Sequence, residues 1–184
     1  MNRPKVSVFI ATSLDGYIAR EDGALDWLDA ASQTVTPGED CGYKAFIQSV
    51  DALVMGRKTY EKVLTFGDWP YGDKPVIVLS HQPIDFPDAL LQSVSHSDLP
   101  PEQLCEALAS RGLKRVYLDG GQTIQRFLAA NLVDEMIITL IPTLLGNGIS
   151  LFGELAKDIP LKLMSTQTFD FGFVQLCYHI QTHS

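Results

Sequence analysis

Short runs of apolar residues alternate with amphipathic segments along most of the chain. Several of these runs are apolar at nearly every position, which is typical of strands buried on both faces of a parallel sheet. The amphipathic segments place their apolar residues three and four positions apart, which predicts helices. The pattern predicts strands at 5–12, 53–55, 74–80, 115–118 and 133–141, helices at 39–50, 57–64, 101–111 and 122–131, and a short helix near Asp26.

The end of the chain changes from this alternation to two apolar runs in succession. Segments 161–169 and 173–180 have strand composition and are joined by Asp170-Phe171-Gly172, which predicts a hairpin. A short strand at 90–94 and a loop at 144–152 complete the assignment. The order of elements predicts an α/β domain, with a mainly parallel mixed sheet and an antiparallel C-terminal hairpin. No linker or repeat divides the chain, so we expect one domain over 1–184.

The composition is that of a globular protein, and its charge limits the partners. Hydrophobic residues make up 46% and charged residues 20% of the 184 residues, and the net charge is −8. A basic face for nucleic acid is difficult to assemble from 14 cations in such a chain, so we expect no nucleic acid partner. Any site for an anionic ligand must instead concentrate positive charge locally.

The cysteine residues and the N-terminal segment argue against several further classes of protein. Cys41, Cys105 and Cys177 are widely spaced and form no Cys-x-x-Cys pair, which indicates reduced thiols in the cytoplasm and no metal site. The first apolar run is only about seven residues long, far too short to span a bilayer, so we expect no membrane partner.

One junction in the chain has the chemistry of an anion site. The predicted strand 53–55 ends at Gly56, and a helix begins directly with Arg57, Lys58 and Thr59. The unpaired N–H groups and the dipole at a helix start attract anions, and the two cations add full positive charge. A phosphate-bearing cofactor fits these features. The alternative is a simple turn with solvated cations, and the segment lacks the second glycine of a Walker A loop.

Two further strand ends repeat this chemistry. Gly120-Gly121-Gln122-Thr123 joins a strand to a helix start, where Asp119 could fix the loop by bonding backbone N–H groups, and Leu79-Ser80-His81 follows another buried strand. Ligands of open parallel sheets bind at the carboxyl ends of the strands, so the three junctions could together hold one dinucleotide. Its pyrophosphate would lie between the two helix starts, with Arg57 and Ser80 near a 2′-phosphate. The chain has no Gly-x-Gly-x-x-Gly after its first strand, which argues against a Rossmann domain.

The same segments carry a family resemblance. Met55-Gly56-Arg57-Lys58-Thr59-Tyr60-Glu61, Val76-Ile77-Val78-Leu79-Ser80 and Gly120-Gly121 occur in the order seen in dihydrofolate reductases. Ser13-Leu14-Asp15-Gly16-Tyr17-Ile18-Ala19 and Leu144-Leu145-Gly146-Asn147-Gly148 more closely resemble the reductase domain of the bacterial bifunctional riboflavin-biosynthesis deaminase/reductase. The resemblance covers nearly the whole chain. It implies a dihydrofolate reductase-like three-layer domain that stands alone, without the deaminase.

The resemblance also implies NADPH as the cofactor and hydride transfer to a small-molecule substrate as the chemistry. The residues assigned to the cofactor are Ala11, Thr12, Gly16, Tyr17, Gly56, Arg57, Lys58, Thr59, Leu79, Ser80, His81, Gly120, Gly121, Gln122 and Thr123. A cis peptide bond between Gly120 and Gly121 is implied as well, and so is a homodimer, in which the terminal hairpin could pair across a two-fold axis. The implied activity resembles that of 5-amino-6-(5-phosphoribosylamino)uracil reductase.

The substrate half departs from the dihydrofolate reductase pattern. Dihydrofolate reductases carry a carboxylate on the helix before the Met-Gly-Arg strand, four residues ahead of a phenylalanine. Counted back from Phe46, that position is Gly42 here, while Glu39 and Asp40 lie at the predicted helix start. Dihydrofolate is therefore disfavoured as the substrate, whereas the riboflavin-type acid of the Ser-Leu-Asp-Gly loop is present as Asp15.

The candidates for the substrate side each have a structural alternative. Asp15 could donate a proton or orient the substrate, or only stabilise the turn at Gly16. Asp40 could be catalytic, although an N-cap is the commoner role for such a residue. Trp27 and Tyr43 could bind a planar substrate, although both also fit a hydrophobic core. The sequence predicts an NADPH-dependent reductase acting on a small heterocyclic or carbonyl compound, with dihydrofolate reductase and a non-catalytic NADPH-binding sensor as alternatives.

Overall fold

The computed structural model describes residues 3–181, so the ends of the expected domain, 1–2 and 182–184, lie outside the described residues. Strands and helices alternate along this part of the chain. The strands are β1 Lys5–Ser13, β2 Tyr17–Ala19, β3 Ala52–Gly56, β4 Val76–Leu79, β5 Val94–Ser97, β6 Arg115–Asp119, β7 Glu135–Ile141, β8 Ile149–Ser150, β9 Leu161–Thr168 and β10 Val174–Ile180. The helices are α1 Asp26–Ser32, α2 Tyr43–Ser49, α3 Arg57–Leu64, α4 Pro101–Ser110 and α5 Gly121–Ala129.

One mixed sheet holds eight of these strands, in the order β5-β4-β3-β6-β1-β7-β10-β9. The strands from β5 to β7 in this order are parallel to one another. Strands β10 and β9 add to the edge at β7 in antiparallel register, as the predicted hairpin. The predicted fold class is therefore confirmed.

Helices cover both faces of the sheet because its central strands are apolar on both sides. On one face Leu53, Met55 and Tyr117 pack with α2 and α3. On the other face Val54 and Leu118 pack with α4 and α5. Neighbouring residues of a strand point to opposite faces, so each buried strand contributes to both cores. The result is the expected arrangement in three layers.

Helix α2 is shorter at its start than the sequence predicted. It begins at Tyr43 because Cys41 and Gly42 have positive φ angles of 52° and 81°, which a right-handed helix excludes. Asp40 accepts hydrogen bonds from the backbone N–H groups of Gly42 (2.9 Å) and Lys44 (2.9 Å). These bonds satisfy N–H groups that would otherwise lie within a longer helix. They also fix the turn that precedes α2.

Two further segments differ from the sequence prediction. The strand predicted at 90–94 begins only at Val94, as β5, because a 3₁₀ helix, Asp88–Leu90, and a turn precede it. The N–H of Leu90 bonds to the carbonyl oxygen of Pro87 at 2.8 Å. The predicted loop 144–152 contains β8, which pairs with β2 in a small separate ribbon. Strands of two and three residues are too short to show a period in the sequence, so the pattern did not reveal them.

The amino ends of the central strands carry a network of ion pairs. Glu135 contacts Arg115 (2.6 Å) and Lys5 (3.1 Å), and Arg3 contacts Asp134 (2.7 Å). A surface cavity of about 470 Å³ opens beside Arg3 and Asp134. The arginines and the lysine there are already paired with acids, so we interpret this edge as structural. It lies at the opposite end of the sheet from the three predicted junctions.

Within residues 3–181, no helix is long and apolar enough to cross a membrane. The same residues hold no group of three or more His, Cys, Asp or Glu side chains that could bind a metal ion. Cys41, Cys105 and Cys177 are free thiols, and burial raises the pKa of each, which keeps them protonated at neutral pH.

Candidate functional site

The carboxyl ends of β1, β3, β4 and β6 lie at one edge of the sheet. The register pairs Met55 with Asp119 and Gly56 with Leu79, so the residues that follow these strands are neighbours in space. The three predicted junctions, at Gly56, after Leu79 and at Gly120, are thereby brought together. Residues far apart in sequence form one site here because parallel strands end at the same edge.

The starts of α3 and α5 interlock through a repeated Gly-x-x-Thr segment. A Cβ at Gly56 would lie 3.1 Å from the hydroxyl oxygen of Thr123, and a Cβ at Gly120 would overlap the hydroxyl oxygen of Thr59. Each threonine thus occupies the space that a side chain on the other helix's glycine would need. The close approach brings the free N–H groups of two helix starts near each other, an arrangement that suits a phosphate group.

The turn into α5 depends on the backbone of Gly120. This residue has φ 91° and ψ 134°, a conformation that a side chain disfavours. The Gly120–Gly121 peptide bond is trans, so the expectation of a cis bond is wrong. The positive φ of Gly120 redirects the chain into the helix instead. Asp119 fixes this turn as expected, because its Oδ1 accepts the N–H of Gly120 at 2.8 Å.

The ribbon of β2 and β8 lies against the start of α5. A Cβ at Gly121 would lie 2.9 Å from Cδ1 of Ile18 and 3.2 Å from the carbonyl oxygen of Ser150. Gly16 has φ 86° in the turn that leads into this ribbon, and Tyr17 is its first residue. The two predicted cofactor residues Gly16 and Tyr17 therefore lie at the same edge as the two helix starts.

The end of β1 presents Ala11 and Thr12 to opposite faces of the sheet. Ala11 packs with Trp27 on the face that α1 covers, whereas Thr12 is buried. A ligand at this strand end would meet the Ala11 side chain or the backbone, since the Thr12 side chain is turned into the protein.

Arg57 and Lys58 supply the positive charge at the start of α3. Both side chains are exposed, and the Nε of Arg57 donates to Oε1 of Glu61 at 2.7 Å. This pair spans one turn of the helix, so an incoming phosphate group would compete with Glu61 for the guanidinium group. Arginine suits that role because its planar fork of donors matches a phosphate in two hydrogen bonds.

A cavity of about 380 Å³ lies next to these junctions, between the carboxyl ends of β4 and β5 and the helices α4 and α5. Its lining residues are Leu79, Ser80, His81, Ser97, Asp98, Leu99, Pro100, Pro101, Arg126 and Phe127. The volume is within the range of small-molecule sites. Sequence reasoning placed Leu79, Ser80 and His81 here but missed Ser97 and Arg126, because neither lies at a strand–glycine–helix junction.

Asp15 links two loops at the rim of the site through hydrogen bonds. It accepts hydrogen bonds from the Ser13 hydroxyl (2.6 Å) and from the N–H groups of Leu145 (3.1 Å) and Gly146 (2.8 Å). The bond from Ser13, followed by those from the backbone, lowers the pKa of Asp15 to about 2. A carboxyl group that is ionised throughout the neutral range is a poor proton donor, so this geometry favours the turn-stabilising alternative.

The other three candidates lie around the start of α2 and the end of β1. Asp40 accepts the N–H groups of Gly42 and Lys44 and so stabilises the turn before α2, although the N-cap position itself is Gly42. Trp27 is buried, and its Nε1 has no hydrogen-bond partner among residues 3–181. Tyr43 is half-buried and packs edge-on against Phe9, with ring centroids 5.6 Å apart. Burial, and then the charge of Asp119, raise the pKa of Tyr43 to about 12.

Asp119 has the proton-donor chemistry that sequence analysis assigned to Asp15. Its burial at the end of β6 disfavours the charged form and raises the pKa to about 6, although the N–H of Gly120 opposes that shift. Part of the residue remains accessible. A carboxyl group that titrates near neutrality can donate a proton. The signal in the sequence is an acid directly before paired glycines at a strand end, for which sequence analysis predicts only a structural role.

The chain matches the family model described as the RibD C-terminal domain, over residues 4–175. It belongs to this family. The Bacillus subtilis protein named "Uncharacterized protein YwjB" is 39% identical, over 95% of this chain and 97% of its own length. Another B. subtilis protein, named "Uncharacterized protein YyaP", is 27% identical, over 97% of this chain and 96% of its own. The predicted resemblance is confirmed.

Solved structures agree with this assignment to the RibD C-terminal domain family. A protein from Shewanella sp. PV-4, whose name proposes a role in riboflavin biosynthesis, has a TM-score of 0.90 and 41% identity, over 97% of this chain and 99% of that chain. The Thermotoga maritima diaminohydroxyphosphoribosylaminopyrimidine deaminase/5-amino-6-(5-phosphoribosylamino)uracil reductase has a TM-score of 0.73 and 16% identity. That match covers 97% of this chain and 57% of that chain, and it shows a shared fold. Family membership supports a reductase role.

Proposed function

We propose that this member of the RibD C-terminal domain family is an NADPH-dependent reductase of a small heterocyclic or carbonyl compound. The observation that carries the proposal is the interlock of the two helix starts, where Gly56 and Gly120 leave no free room for a side chain. The pyrophosphate of a dinucleotide needs such close backbone approach and converging N–H groups. The cavity beside Ser80 offers space for the adenosine end.

The charges at the rim favour NADPH over NADH. Arg57 and Lys58 follow Gly56 directly, and Arg126 lines the cavity next to Ser80. The net charge of the chain is −8, so these cations oppose the overall charge of the chain where the cofactor phosphates would bind. A 2′-phosphate distinguishes NADPH from NADH, and charge-assisted hydrogen bonds from arginine would recognise it.

Reduction of a C=N or C=O bond needs a hydride on the carbon and a proton on the heteroatom. The bound dinucleotide supplies the hydride. Asp119 in its acid form would pass its proton to the heteroatom and be left as a carboxylate, which solvent then reprotonates. The pKa of about 6 keeps part of the Asp119 population in the acid form near neutral pH. Asp15 and Asp40 then have positioning roles at the rim loops and at the start of α2.

Titration with NADPH and with NADH tests the cofactor assignment. We expect NADPH to bind more tightly, and we expect Arg57→Ala to weaken NADPH by about tenfold or more while leaving NADH nearly unchanged. Lys62→Ala removes a cation from the last turn of the same helix and is the matched control, which should bind both nucleotides as the wild type does. Equal affinities in the wild type, or no NADPH binding, would contradict the proposal.

We further propose that two copies associate through the C-terminal hairpin. Strand β9 is the edge of the sheet, and its Leu161, Leu163 and Met164 are 40%, 50% and 47% exposed. Proteins usually cover an edge strand that carries apolar side chains. Light scattering should give twice the chain mass of 20.3 kDa, and Leu163→Lys should give a monomer that still binds NADPH. A monomeric wild type would refute this association.

A further inference from the structure

The order of the strands fixes the direction in which a bound dinucleotide would extend. In the proposed site its adenosine end takes the cavity beside Ser80, after β4, and its phosphates take the helix starts after β3 and β6. The sheet continues in the same direction with β1, β7 and β10. The other end of the dinucleotide would therefore reach the end of β1, on the side away from β4. The nicotinamide and the substrate would lie there.

One row of side chains crosses this part of the sheet. The register aligns Ala11 of β1 with Thr139 of β7, and Thr139 with Gln175 of β10. Register partners on neighbouring strands point to the same face, which here is the face where Ala11 packs with Trp27. The amide Nε2 of Gln175 donates to the hydroxyl oxygen of Thr139 at 2.9 Å. Ala11 and Gln175 both keep part of their surface exposed.

The turn before α2 lies over this row. The amide Nε2 of Gln175 donates a second hydrogen bond, to the carbonyl oxygen of Cys41 at 2.9 Å. Two residues further along, Tyr43 packs edge-on against Phe9, with ring centroids 5.6 Å apart. Phe9 points to the same face of β1 as Ala11, since residues two apart on a strand share a side. The chain between Cys41 and Tyr43 therefore runs from β10 to β1 across this face.

The conformation of this turn needs support from outside. Cys41 has a φ of 52°, a left-handed value that residues with a side chain rarely adopt and that persists where the surrounding structure fixes it. The N–H of Cys41 bonds to Oε1 of Glu39 at 2.7 Å, which is a bond within the turn itself. The bond from Gln175 instead joins the turn to the sheet. A carbonyl oxygen can only accept, so the amide of Gln175 must present its nitrogen here.

We propose that Gln175 is a positioning residue of the reductase, which holds the turn 39–42 over β1 as a wall of the nicotinamide and substrate end. The inference rests on the proposed reductase function and adds a residue of the C-terminal hairpin to the substrate half. Gln175 acts through the turn and not on the reacting atoms. Without its hydrogen bond the turn would move away from β1 and open the wall, while the helix starts at Gly56 and Gly120 would stay in place.

The thiol of Cys41 can report whether the nicotinamide lies under the turn. Iodoacetamide alkylates accessible thiols, and peptide mass spectrometry measures the rate at Cys41 separately from that at Cys177, which is also half-buried but lies nearer the amino end of the sheet. We expect saturating NADP⁺ to slow the reaction of Cys41 by about fivefold or more, and 2′-phospho-ADP-ribose, which lacks the nicotinamide, to change it by less than about twofold. Neither ligand should affect Cys177. Equal protection of Cys41 by both ligands, or by neither, overturns the inference.

Gln175→Leu tests the role of the side chain, because leucine fills a similar space but donates no hydrogen bond. Without ligand, we expect Cys41 to react about three- to tenfold faster than in the wild type. The affinity for 2′-phospho-ADP-ribose should stay unchanged, and protection by NADP⁺ should weaken. Gln167→Leu is the matched control, since Gln167 is the exposed register partner on β9 and should behave as the wild type does. A wild-type rate at Cys41 in Gln175→Leu would refute the role.

Two further measurements keep the outcomes apart. Gln175→Glu keeps the size of the side chain, but its carboxylate cannot donate to a carbonyl oxygen, so it should expose Cys41 as well and replaces the leucine variant if that protein does not fold. Titration of the wild type with NADPH separates the inference from the proposed function. Wild-type protein that binds NADPH but leaves Cys41 unprotected by NADP⁺ retains the reductase proposal and overturns the inference. Wild-type protein that does not bind NADPH overturns both.

Discussion

The nucleotide half and the substrate half of the candidate site are built in different ways. The nucleotide half uses backbone N–H groups at strand–glycine–helix junctions, where Gly56 and Gly120 each pack against a threonine of the other helix. We assign the proposed substrate half to the side chains of Asp119 and Tyr43, which come from two separate segments. The first half therefore depends on the absence of side chains, and the second depends on their chemistry.

This difference determines how each half can change. Backbone N–H groups are the same in every sequence, so the nucleotide half is fixed by the fold and by the few glycines that permit close approach. Side chains at the end of β6 and in α2 can change without altering the sheet. A domain built this way can keep one type of cofactor while its substrate varies, because the fold constrains only the first.

Gly120→Ala should give the largest effect, because it places a side chain in the interlock. The new Cβ would overlap the hydroxyl of Thr59 and would stand on a residue with φ 91°. Overpacking and a disfavoured backbone conformation each cost about 1–3 kcal/mol, so we expect a destabilisation of about 2–6 kcal/mol together with loss of NADPH binding. Thermal unfolding and a calorimetric titration with NADPH measure the two effects.

Gly56→Ala is the matched control for the interlock. Its Cβ would lie 3.1 Å from the hydroxyl oxygen of Thr123, and its φ of −76° is open to any side chain. The threonine needs to move by only a fraction of an ångström, so we expect a destabilisation of about 1 kcal/mol and weakened but measurable NADPH binding. Equal losses of stability and of NADPH affinity in the two variants would contradict the prediction that Gly120 tolerates a side chain less well than Gly56.

Asp119→Asn should separate activity from stability in the substrate half. An amide cannot donate a carboxylic proton, so we expect turnover to fall by about a hundredfold or more while NADPH binding persists. Wild-type kcat/KM should fall as the pH rises through about 6, because the acid form is lost there. Steady-state rates between acid and alkaline pH measure both effects. A variant with wild-type rates would exclude Asp119 as the proton donor.

The same substitution should raise the free energy of unfolding above pH 6. The pKa of Asp119 is raised to about 6 from its ordinary value of 3.8, so the folded protein holds a proton that the unfolded chain releases in that interval. Wild-type stability therefore falls as the pH rises from about 4 to 6, by up to about 3 kcal/mol, and Asp119→Asn avoids that loss. Below pH 4 the two proteins should unfold alike. Urea unfolding at both pH values measures the difference.

The nucleotide half could be predicted from the sequence because its signals are local. At Gly56 and at Gly120 the strand, the glycine and the helix follow one another directly. One general rule, that ligands bind where parallel strands end, then places both junctions at one site. The conformation of the diglycine was predicted wrongly, since sequence alone does not show whether φ or the peptide bond makes the turn. The role of these junctions in binding a nucleotide stays a prediction.

The substrate half could not be predicted because it depends on contacts between distant segments. The charge of Asp119 contributes to the raised pKa of Tyr43 although the two residues are far apart in sequence, because β3, which follows α2, pairs with β6. The turn before α2 is held by Gln175, whose side chain donates to the carbonyl oxygen of Cys41 at 2.9 Å. The pKa of Asp119 likewise follows from its burial, which no neighbouring residue in the sequence indicates.

Asp15→Asn tests whether the rim acid acts in the chemistry or only in positioning. The change removes the charge that accepts hydrogen bonds from Ser13, Leu145 and Gly146, so the rim loops should loosen. We expect a severalfold rise in KM with a smaller change in kcat. The pKa of Asp15 is about 2, so this loss should be the same at every pH from weakly acid to alkaline. A loss of the pH dependence near 6 in this variant would return the proton-donor role to Asp15.

Glu61→Gln should have the smallest effect, and it acts on the nucleotide half through a side chain. The substitution weakens the exposed pair with Arg57, which leaves the guanidinium group freer to meet a 2′-phosphate. Exposed pairs of this kind contribute about 0.2–1 kcal/mol, so NADPH should bind about one- to fivefold more tightly, with NADH unchanged. In an Arg57→Ala background the same substitution should change neither affinity. An effect that persisted there would show that Glu61 acts on the nucleotide directly, by repulsion, rather than through Arg57.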